Sequence, residues 1–144
     1  LMTNTAVNLE YDEIKIGRTF EFEKNITNSD LEKFAELSGD YNPLHMDEEY
    51  AAATSFKQRV AHGMIGGALF SRLVGMHLPG KYCLYLSQTM NFKKPIFLES
   101  EVEVVGEVIK KTDAFQTLEI NTFVRDAQTG ENLIEGKALV KLLK

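Results

Sequence analysis

The sequence predicts an α+β fold in which an antiparallel β-sheet wraps around one central buried helix. Three observations support this prediction. A short strand pattern at residues 19–26 comes before the helical segments. Arg72 is the only charged residue among residues 64–76, so this segment is apolar nearly all round, as expected of a helix that is buried on most sides. Four strand-like segments follow that helix, at residues 82–92, 101–110, 115–125 and 133–143.

The N-terminal elements are predicted from side-chain periodicity and from capping signals. Phe20 and Phe22 alternate with acidic residues, which is typical of a strand. Thr27 then begins a helix with Asp30 as its capping-box partner, and Gly39 ends that helix. The buried stripe of this helix is predicted to consist of Leu31, Phe34, Ala35 and Leu37.

The later elements are delimited by aspartate, glycine and proline. Asp47 is predicted to cap a second short helix. In the apolar helix, Gly66, Gly67 and Ala68 are small enough to let another element approach closely, and Pro79-Gly80 ends that helix. Residues 126–130 have the composition of a turn, so the last two strands are expected to form a hairpin.

Length, charge and cysteine content limit the class of protein. The 144 residues suffice for a single compact domain, predicted to span residues 1–144. A net charge of -5 disfavours non-specific binding to nucleic acid, which needs many phosphate-neutralising cations. No apolar run is long enough to cross a bilayer, so no membrane association is expected. The one cysteine, Cys83, excludes an internal disulfide and favours the reducing cytoplasm.

The candidate chemistry lies in residues 38–47. Asp40 and His45 are separated by a spacing that would place them about 140° apart on a helix. Gly39 and Pro43 interrupt helical geometry, so we expect an irregular loop that aims both side chains into one cleft. A carboxylate and an imidazole that face a single water are suited to proton transfer near neutral pH.

The residue types alone leave other interpretations open. An aspartate before a turn is often only a cap, and a single histidine is more often structural than catalytic. A metal site built from Asp40, His45 and Asp47 is less favoured, because their spacing matches no recognised ligand pattern and hard-metal loops carry more oxygen ligands. We therefore expect no metal ion and no redox cofactor.

Three motifs together resemble the MaoC-type, R-specific enoyl-CoA hydratase family, notably its short polyhydroxyalkanoate-associated members. They are Gly-Asp-Tyr-Asn-Pro-Leu-His-Met-Asp at residues 39–47, Ala-His-Gly-Met at residues 61–64, and Gln-Thr-Met-Asn-Phe-Lys-Lys-Pro at residues 88–95. The first contains Asp-x-Asn-Pro-x-His, which is far more specific than an Asp/His pair alone. The resemblance implies a hotdog fold and reversible hydration of trans-2-enoyl-CoA to (R)-3-hydroxyacyl-CoA.

The resemblance also implies roles for individual residues. Asp40 and His45 would jointly hold one water and act as a unit in proton transfer. Asn42 would help to position the reacting groups, with holding of the turn as its structural alternative. The backbone N–H of Gly63 would face the thioester oxygen, where charge develops, and the start of the apolar helix favours such an anion.

Other residues in the matching segments are assigned less. His62 is expected to anchor the loop rather than to take part in the reaction, and His77 and Cys83 are assigned no chemistry. One departure concerns the central helix. Several family members carry a hydroxyl there, near the catalytic carboxylate, where this chain has Ala68 with Ser71 almost one turn later. A missing hydroxyl would loosen the orientation of Asp40.

Three other functions compete with hydration. A hotdog thioesterase often uses a carboxylate on the central helix, whereas residues 63–78 contain no Asp or Glu. A 3-hydroxyacyl dehydratase that acts on acyl carrier protein runs the same chemistry in reverse, and the sequence hardly separates it from the CoA enzyme. A non-catalytic acyl-CoA-binding module would not need both Asp40 and His45.

The resemblance further implies the partners of the chain. CoA would serve as the handle of the substrate. The candidates for contact with its phosphates are Lys57, Arg59, Lys93 and Lys94, although solvated surface charge is the alternative for each. A single hotdog unit has an exposed sheet edge, so the resemblance implies a homodimer in which two sheets join.

Overall fold

The computed structural model describes residues 4–144 and contains one sheet with helices packed against it. The helices are α1 (Asn28–Ser38), α2 (Pro43–Met46), α3 (Glu48–Ala52) and α4 (Ile65–Arg72), with a 3-10 helix at Tyr11–Glu13 and a π-helix at Leu73–His77. The strands are β1 (Thr19–Ile26), β2 (Cys83–Gln88), β3 (Asn91–Phe92), β4 (Ser100–Thr112), β5 (Thr117–Asp126) and β6 (Asn132–Leu142).

The sheet is antiparallel throughout. Its strand order is β1-β4-β5-β6-β2, and the short β3 pairs with β6 beside β2. The predicted α+β class and the predicted strand at residues 19–26 are confirmed. The predicted turn at residues 126–130 is also present, where the Asp126 carboxylate accepts hydrogen bonds from two backbone N–H groups that follow it.

Close contact between α4 and the sheet depends on glycine. A Cβ on Gly66 of α4 would lie 2.4 Å from Cδ1 of Ile134 in β6. A Cβ on Gly106 of β4 would lie 2.9 Å from Cδ2 of Leu73, at the start of the π-helix. The expectation that small residues let another element approach the apolar helix is therefore confirmed at Gly66.

The core divides into two clusters along the helical segment formed by α4 and the π-helix. The first contains the fully buried Phe70 of α4 together with side chains from β1, β4, β5 and β6. The second lies beside the π-helix and includes Val74 and Leu78 together with Ile14 from the N-terminal segment. Burial of these side chains is the main favourable term that holds the helix against the sheet.

The predicted ends of α1 are confirmed. The Thr27 hydroxyl accepts a hydrogen bond from the Asp30 N–H, and the Asp30 carboxylate accepts one from the Thr27 N–H at 2.9 Å. Gly39 ends the helix in the left-handed region with φ of 79°. The predicted buried stripe is wrong at Leu37, which is 86% exposed. At 100° per residue, Leu37 lies about 120° from the buried Leu31, so it points away from the sheet.

Two other predicted elements differ from the structure. The strand predicted at residues 82–92 is split into β2 and β3, because residues 89 and 90 leave the strand conformation. The apolar helix is an eight-residue α-helix followed by the π-helix, and its side is open at Met64, Ala68 and Ser71. In residues 4–144 no helix combines the length and the apolar character needed to span a membrane.

Candidate active site

The loop between α1 and α2 is organised by short-range side-chain hydrogen bonds. The Asp40 N–H donates to the Ser38 hydroxyl at 3.1 Å, and the Asp40 carboxylate accepts from the Asn42 N–H at 3.1 Å. The Asn42 side-chain oxygen accepts in turn from the Leu44 N–H at 3.0 Å and caps α2. Asp40 and Asn42 therefore form two consecutive side-chain turns, and the Asp40 side chain is exposed.

His45 lies on α2, not on an irregular loop. The expected irregular loop is present at residues 39–42 but does not extend to His45, because Pro43 occupies the first turn of a helix, where its missing N–H costs no hydrogen bond. The Nδ1 atom of His45 lies 2.7 Å from the carbonyl oxygen of Val60. Since a carbonyl oxygen only accepts, Nδ1 carries the hydrogen and Nε2 of the neutral ring is left as an acceptor.

His62 connects the two halves of the site. Its side chain is 1% exposed, and its Nε2–H donates to the backbone carbonyl of Asp40 at 2.9 Å. Its ring centroid is 4.3 Å from that of His45 and 4.9 Å from that of Phe34. Burial lowers the pKa of His62 and keeps the ring neutral. This geometry agrees with the expected anchoring of the loop.

A cleft of about 430 Å³ opens beside His45. Its lining residues are His45, Phe56, Val60, Ala61, Gly63, Phe92, Lys93, Lys94, Pro95, Ile96 and Ile134. Among the described residues, no acceptor is hydrogen-bonded to the backbone N–H of Gly63. A Cβ at Gly63 would lie 2.9 Å from the Phe92 ring, so any other residue there would require this ring to move. The cleft is thus lined by a histidine whose Nε2 is left as an acceptor and by a glycine whose backbone N–H has no acceptor within residues 4–144.

The structure brings together some of the predicted site residues but not all of them. His45, Gly63, Lys93 and Lys94 line one cleft. Asp40 does not line it, and its backbone is joined to the site through His62. The remaining candidates, Lys57 and Arg59, line a separate depression of about 330 Å³ beside α3.

The four candidate cations also differ in their bonding. Lys94 forms a salt bridge with Glu131. In the described part of the chain, no salt bridge involves Lys93. The Arg59 guanidinium donates to the His45 carbonyl and to the Asn28 side chain. Lys93 is therefore the cation at the cleft that is most available to an anionic group.

Two functional contributors were missed in the sequence. The Val60 carbonyl selects the tautomer of His45, and the Phe92 ring closes the space around Gly63. Neither has a local sequence signal, since each acts on a residue at least 15 positions away. The sequence motif at residues 88–95 includes Phe92, but its position against Gly63 depends on the pairing of β3 with β6.

Other reactive groups show no comparable arrangement. Within residues 4–144, no group of three or more His, Cys, Asp or Glu side chains converges in a geometry suited to a metal ion. Burial raises the pKa of Cys83 to about 11, so the thiol stays protonated at neutral pH and is a poor nucleophile.

Comparison with known proteins places the chain in a family. The family model described as a MaoC-like domain matches residues 12–129. The chain belongs to the MaoC-like family. Within it, this chain is 37% identical over 131 residues to the (R)-specific enoyl-CoA hydratase of Aeromonas caviae, covering 90% of this chain and 96% of that protein. It is 38% identical over 139 residues to the 3-hydroxybutyryl-CoA dehydratase of Methylorubrum extorquens, covering 94% of this chain and 85% of that protein.

The fold of this MaoC-like chain is also that of a solved relative. The unliganded R-hydratase of Pseudomonas aeruginosa superimposes with a TM-score of 0.89 at 38% sequence identity, covering 94% of this chain and 86% of that structure. The hotdog fold expected from the sequence motifs is therefore confirmed, with α4 as the helix that the sheet encloses. The resemblance to R-specific hydratases is confirmed as well.

Proposed function

We propose that this MaoC-like protein catalyses reversible, R-specific hydration of trans-2-enoyl-CoA to (R)-3-hydroxyacyl-CoA. The observation that carries the proposal is that one cleft is lined by His45, whose Nε2 is left as an acceptor, and by Gly63, whose N–H finds no acceptor among residues 4–144. The first group suits activation of water, and the second suits an oxygen on which charge develops. The likeness to R-specific hydratases over nearly the whole chain selects the enoyl thioester as the substrate.

In the proposed reaction, Asp40 and His45 hold one water. The water oxygen bonds to C3 of the enoyl thioester, while its proton passes to one member of the pair. The electron pair of the double bond shifts toward the thioester carbonyl, and C2 then takes a proton on the same face. The two residues act as a unit, and the net change is the addition of one water, which needs no redox cofactor.

The backbone N–H of Gly63 stabilises the charge that develops on the thioester oxygen. The N–H groups of Ile65 and Gly66 donate to the carbonyls of His62 and Gly63, which holds Gly63 at the start of α4, and no described residue accepts from its own N–H. The unsatisfied N–H groups and the dipole at the beginning of a helix favour negative charge. A fixed donor aimed at a developing oxyanion is worth about 3 kcal/mol in other enzymes.

CoA is the proposed handle of the substrate, and the lysines at the cleft support this choice. Lys93 and Lys94 lie at the edge of the cavity that also contains His45 and Gly63. Lys93 is the better candidate for a phosphate contact, because Lys94 already forms a salt bridge with Glu131. Lys57 remains a weaker candidate in the neighbouring depression.

The same proposal includes a homodimer. β2 is the last strand of the sheet, and its Leu84 and Leu86 side chains are 47% and 48% exposed. An edge strand with exposed leucines is a surface suited to pairing with a second copy of the chain. A cytoplasmic location also belongs to the proposal and rests on the single cysteine in the sequence.

Absorbance of the enoyl thioester provides the direct test. Purified protein is mixed with crotonyl-CoA and with longer trans-2-enoyl-CoAs, and the product is oxidised by dehydrogenases specific for the R or the S alcohol. The expected result is loss of absorbance with formation of the R product. A matched sample with Asp40→Asn is the control for contaminating hydratases from the expression host.

The other outcomes point to defined alternatives. Activity with enoyl-acyl carrier protein but not with enoyl-CoA would replace the proposal with a carrier-protein dehydratase. Binding of acyl-CoA without turnover of either substrate would indicate a non-catalytic binding module. Formation of the S product would contradict the assigned stereochemistry while leaving the hydratase activity in place.

A further inference from the structure

Arg59 forms two hydrogen bonds that join separate parts of the site. Its Nε–H donates to the backbone carbonyl of His45 at 2.6 Å. Its Nη1 donates to the side-chain oxygen of Asn28 at 2.8 Å. Asn28 is the first residue of α1, and His45 lies in α2, so one guanidinium connects the two helices on either side of the Asp40 loop.

The residue after Arg59 strengthens the same connection. The Val60 N–H donates to the Leu44 carbonyl at 3.3 Å, and the Val60 carbonyl accepts from Nδ1 of His45 at 2.7 Å. Residues 59 and 60 therefore contact His45 at its backbone carbonyl and at its ring. Val60 fixes the tautomer, while Arg59 fixes the backbone from which the ring extends.

The His45 carbonyl needs such a partner. α2 has only four residues, so most of its carbonyl oxygens receive no hydrogen bond from an N–H group of the same helix. A hydrogen bond from a charged guanidinium to this carbonyl is stronger than one from a neutral donor, and its planar geometry restricts the direction of the bond. Arg59 is partly buried, and its two hydrogen bonds hold α2 beside the segment that carries Val60.

We propose that Arg59 is a positioning residue that orients His45 in the hydration reaction, and not a ligand of the CoA phosphates. This inference rests on the proposed hydratase function. Two N–H groups of Arg59 already donate to protein oxygens. The depression that Arg59 lines is also separate from the cleft beside His45. Without Arg59 the imidazole would remain present but would sample several orientations, so kcat would fall more than the affinity for substrate.

The test compares Arg59→Lys and Arg59→Gln with the wild-type chain. Lysine keeps the positive charge but cannot donate to two oxygens in a planar fork. We expect kcat with crotonyl-CoA to fall about 10- to 100-fold in both variants, because small misplacement of a catalytic group has effects of this size, while KM changes less than about twofold. Lys110→Gln, which removes an exposed positive charge on β4, is the matched control and is expected to keep the wild-type kcat.

A spectroscopic readout tests the same geometry without turnover. The chain has three histidines, so its imidazole signals in NMR spectra can be assigned with single His variants. In the wild type, we expect a slowly exchanging Nδ1–H signal from His45. This signal is expected to exchange faster in Arg59→Lys and Arg59→Gln, although Val60 is unchanged. Asn28→Ala removes only the oxygen that accepts from Arg59 Nη1. We expect this variant to speed exchange of the His45 signal and to lower kcat, each by less than the Arg59 variants do.

Three results would overturn the inference. Arg59→Gln could instead raise KM in a salt-dependent way and keep kcat, while Arg59→Lys restores KM. That result would assign Arg59 to a phosphate contact. An unchanged kcat together with an unchanged His45 signal would leave Arg59 without a positioning role. Both Arg59 variants could instead fail to fold while Asn28→Ala keeps the wild-type kcat and the wild-type His45 signal. That combination would mean that Arg59 has a purely structural role. If the wild type itself lacks hydratase activity, the proposed function fails, while the His45 signal still decides the geometric claim.

Discussion

The tautomer of the His45 ring is set by a residue that is distant in sequence. The Val60 carbonyl accepts the hydrogen on Nδ1, so the neutral ring presents Nε2 as an acceptor toward the cleft. If Nε2 carried the hydrogen instead, the ring could not accept a proton from water without first rearranging. At the scale of a single residue, the site therefore depends on tautomer control as much as on the presence of histidine.

Removal of Asp40 and His45 should have non-additive effects. Asp40→Asn keeps an oxygen that can accept from the Asn42 N–H, and His45→Asn keeps a donor for the Val60 carbonyl. Each variant is expected to lower kcat/KM about 10²- to 10⁴-fold, the usual contribution of a general acid or base. The double variant should lose little more than the worse single variant if the two residues act as a unit, as proposed, because residues that act together have non-additive effects.

Steady-state kinetics with crotonyl-CoA measures this prediction, with circular dichroism as the check that each variant is folded. A folded single variant with near-normal turnover would show that its residue is not catalytic. Losses that multiply fully in the double variant would show that the two residues act in separate steps.

The buried His62 should make stability depend on pH. Burial lowers its pKa in the folded protein, whereas in the unfolded chain the ring titrates near its usual value of about 6.5. As the pH falls below about 6.5, the unfolded chain binds more protons, so the free energy of unfolding decreases until the lower folded-state pKa is reached. The stabilisation is fully present above pH of about 6.5.

His62→Gln is the matched variant for this prediction, because its amide can still donate to the Asp40 carbonyl without titrating. Urea unfolding at pH values of about 7.5 and 5.5 measures the change. The wild type should lose more stability than the variant over this interval. His77, whose pKa is also lowered by burial and by Arg72, contributes in the same direction in both proteins and does not alter the comparison. Equal losses in the two proteins would mean that His62 does not control the dependence.

Among the secondary-structure elements, α4 has the tightest fit. Gly66 brings its backbone against Ile134, whose side chain is 1% exposed. Contact between a helix and a sheet at this distance tolerates no additional methyl group. The glycine therefore determines how close α4 lies to β6, and with it where the Gly63 N–H stands beside the cleft.

Gly66→Ala should destabilise the fold by about 1–3 kcal/mol through overpacking. Ile134→Val removes the Cδ1 atom that the new Cβ would meet, and alone it should cost about 0.5–1.5 kcal/mol. The double variant is expected to lose less than the sum of the two, because the shortened side chain makes room for the methyl group.

Urea unfolding of the three variants forms the mutant cycle for this contact. Gly75→Ala is the control, since a Cβ there would meet no atom within 4 Å and alanine favours helical structure. It should be neutral or stabilising. Strict additivity in the cycle would show that the Ile134 contact is not what excludes alanine from Gly66.

The whole molecule presents an unpaired strand at one side of its sheet. β2 carries Leu84 and Leu86 on a half-exposed face, and among residues 4–144 no further strand pairs with its outer edge. Water contact with these side chains would be removed by a second copy of the chain joined along this edge. The dimer proposed above is thus a property of the assembled sheet and not of any single motif.

Leu86→Lys should convert a dimer into a monomer, because a lysine in that interface would bury an unpaired charge. Sedimentation is expected to show twice the chain mass of 16.3 kDa for the wild type and the single mass for the variant. Phe115→Lys, which alters an exposed aromatic at the turn between β4 and β5, should remain dimeric. A wild type that sediments as a monomer, or a variant that stays dimeric, would contradict this interface.

Local sequence signals predicted much of the fold. The strand at residues 19–26, the capping box at Thr27 and Asp30, and the helix end at Gly39 all match the structure. Each of these features is produced by hydrogen bonds or side-chain alternation within a few residues, so it can be read without knowledge of the remaining chain. The motif at residues 39–47 likewise indicated where the candidate site lies, and the family it resembles is confirmed.

Tertiary structure decided the features that join distant segments. Three such features are the tautomer of His45, the hydrogen bond from Arg59 to the His45 carbonyl, and the contact of Phe92 with Gly63. All three depend on how the loop before α4 and the strands after it fold back onto the rest of the chain. The exposure of Leu37 also depends on which side of α1 faces the sheet. The sequence by itself determined the order of the elements and the position of the candidate catalytic motif. Only the folded chain brings together groups many residues apart, because closing the long loops between them costs entropy that only the packing of the whole fold offsets.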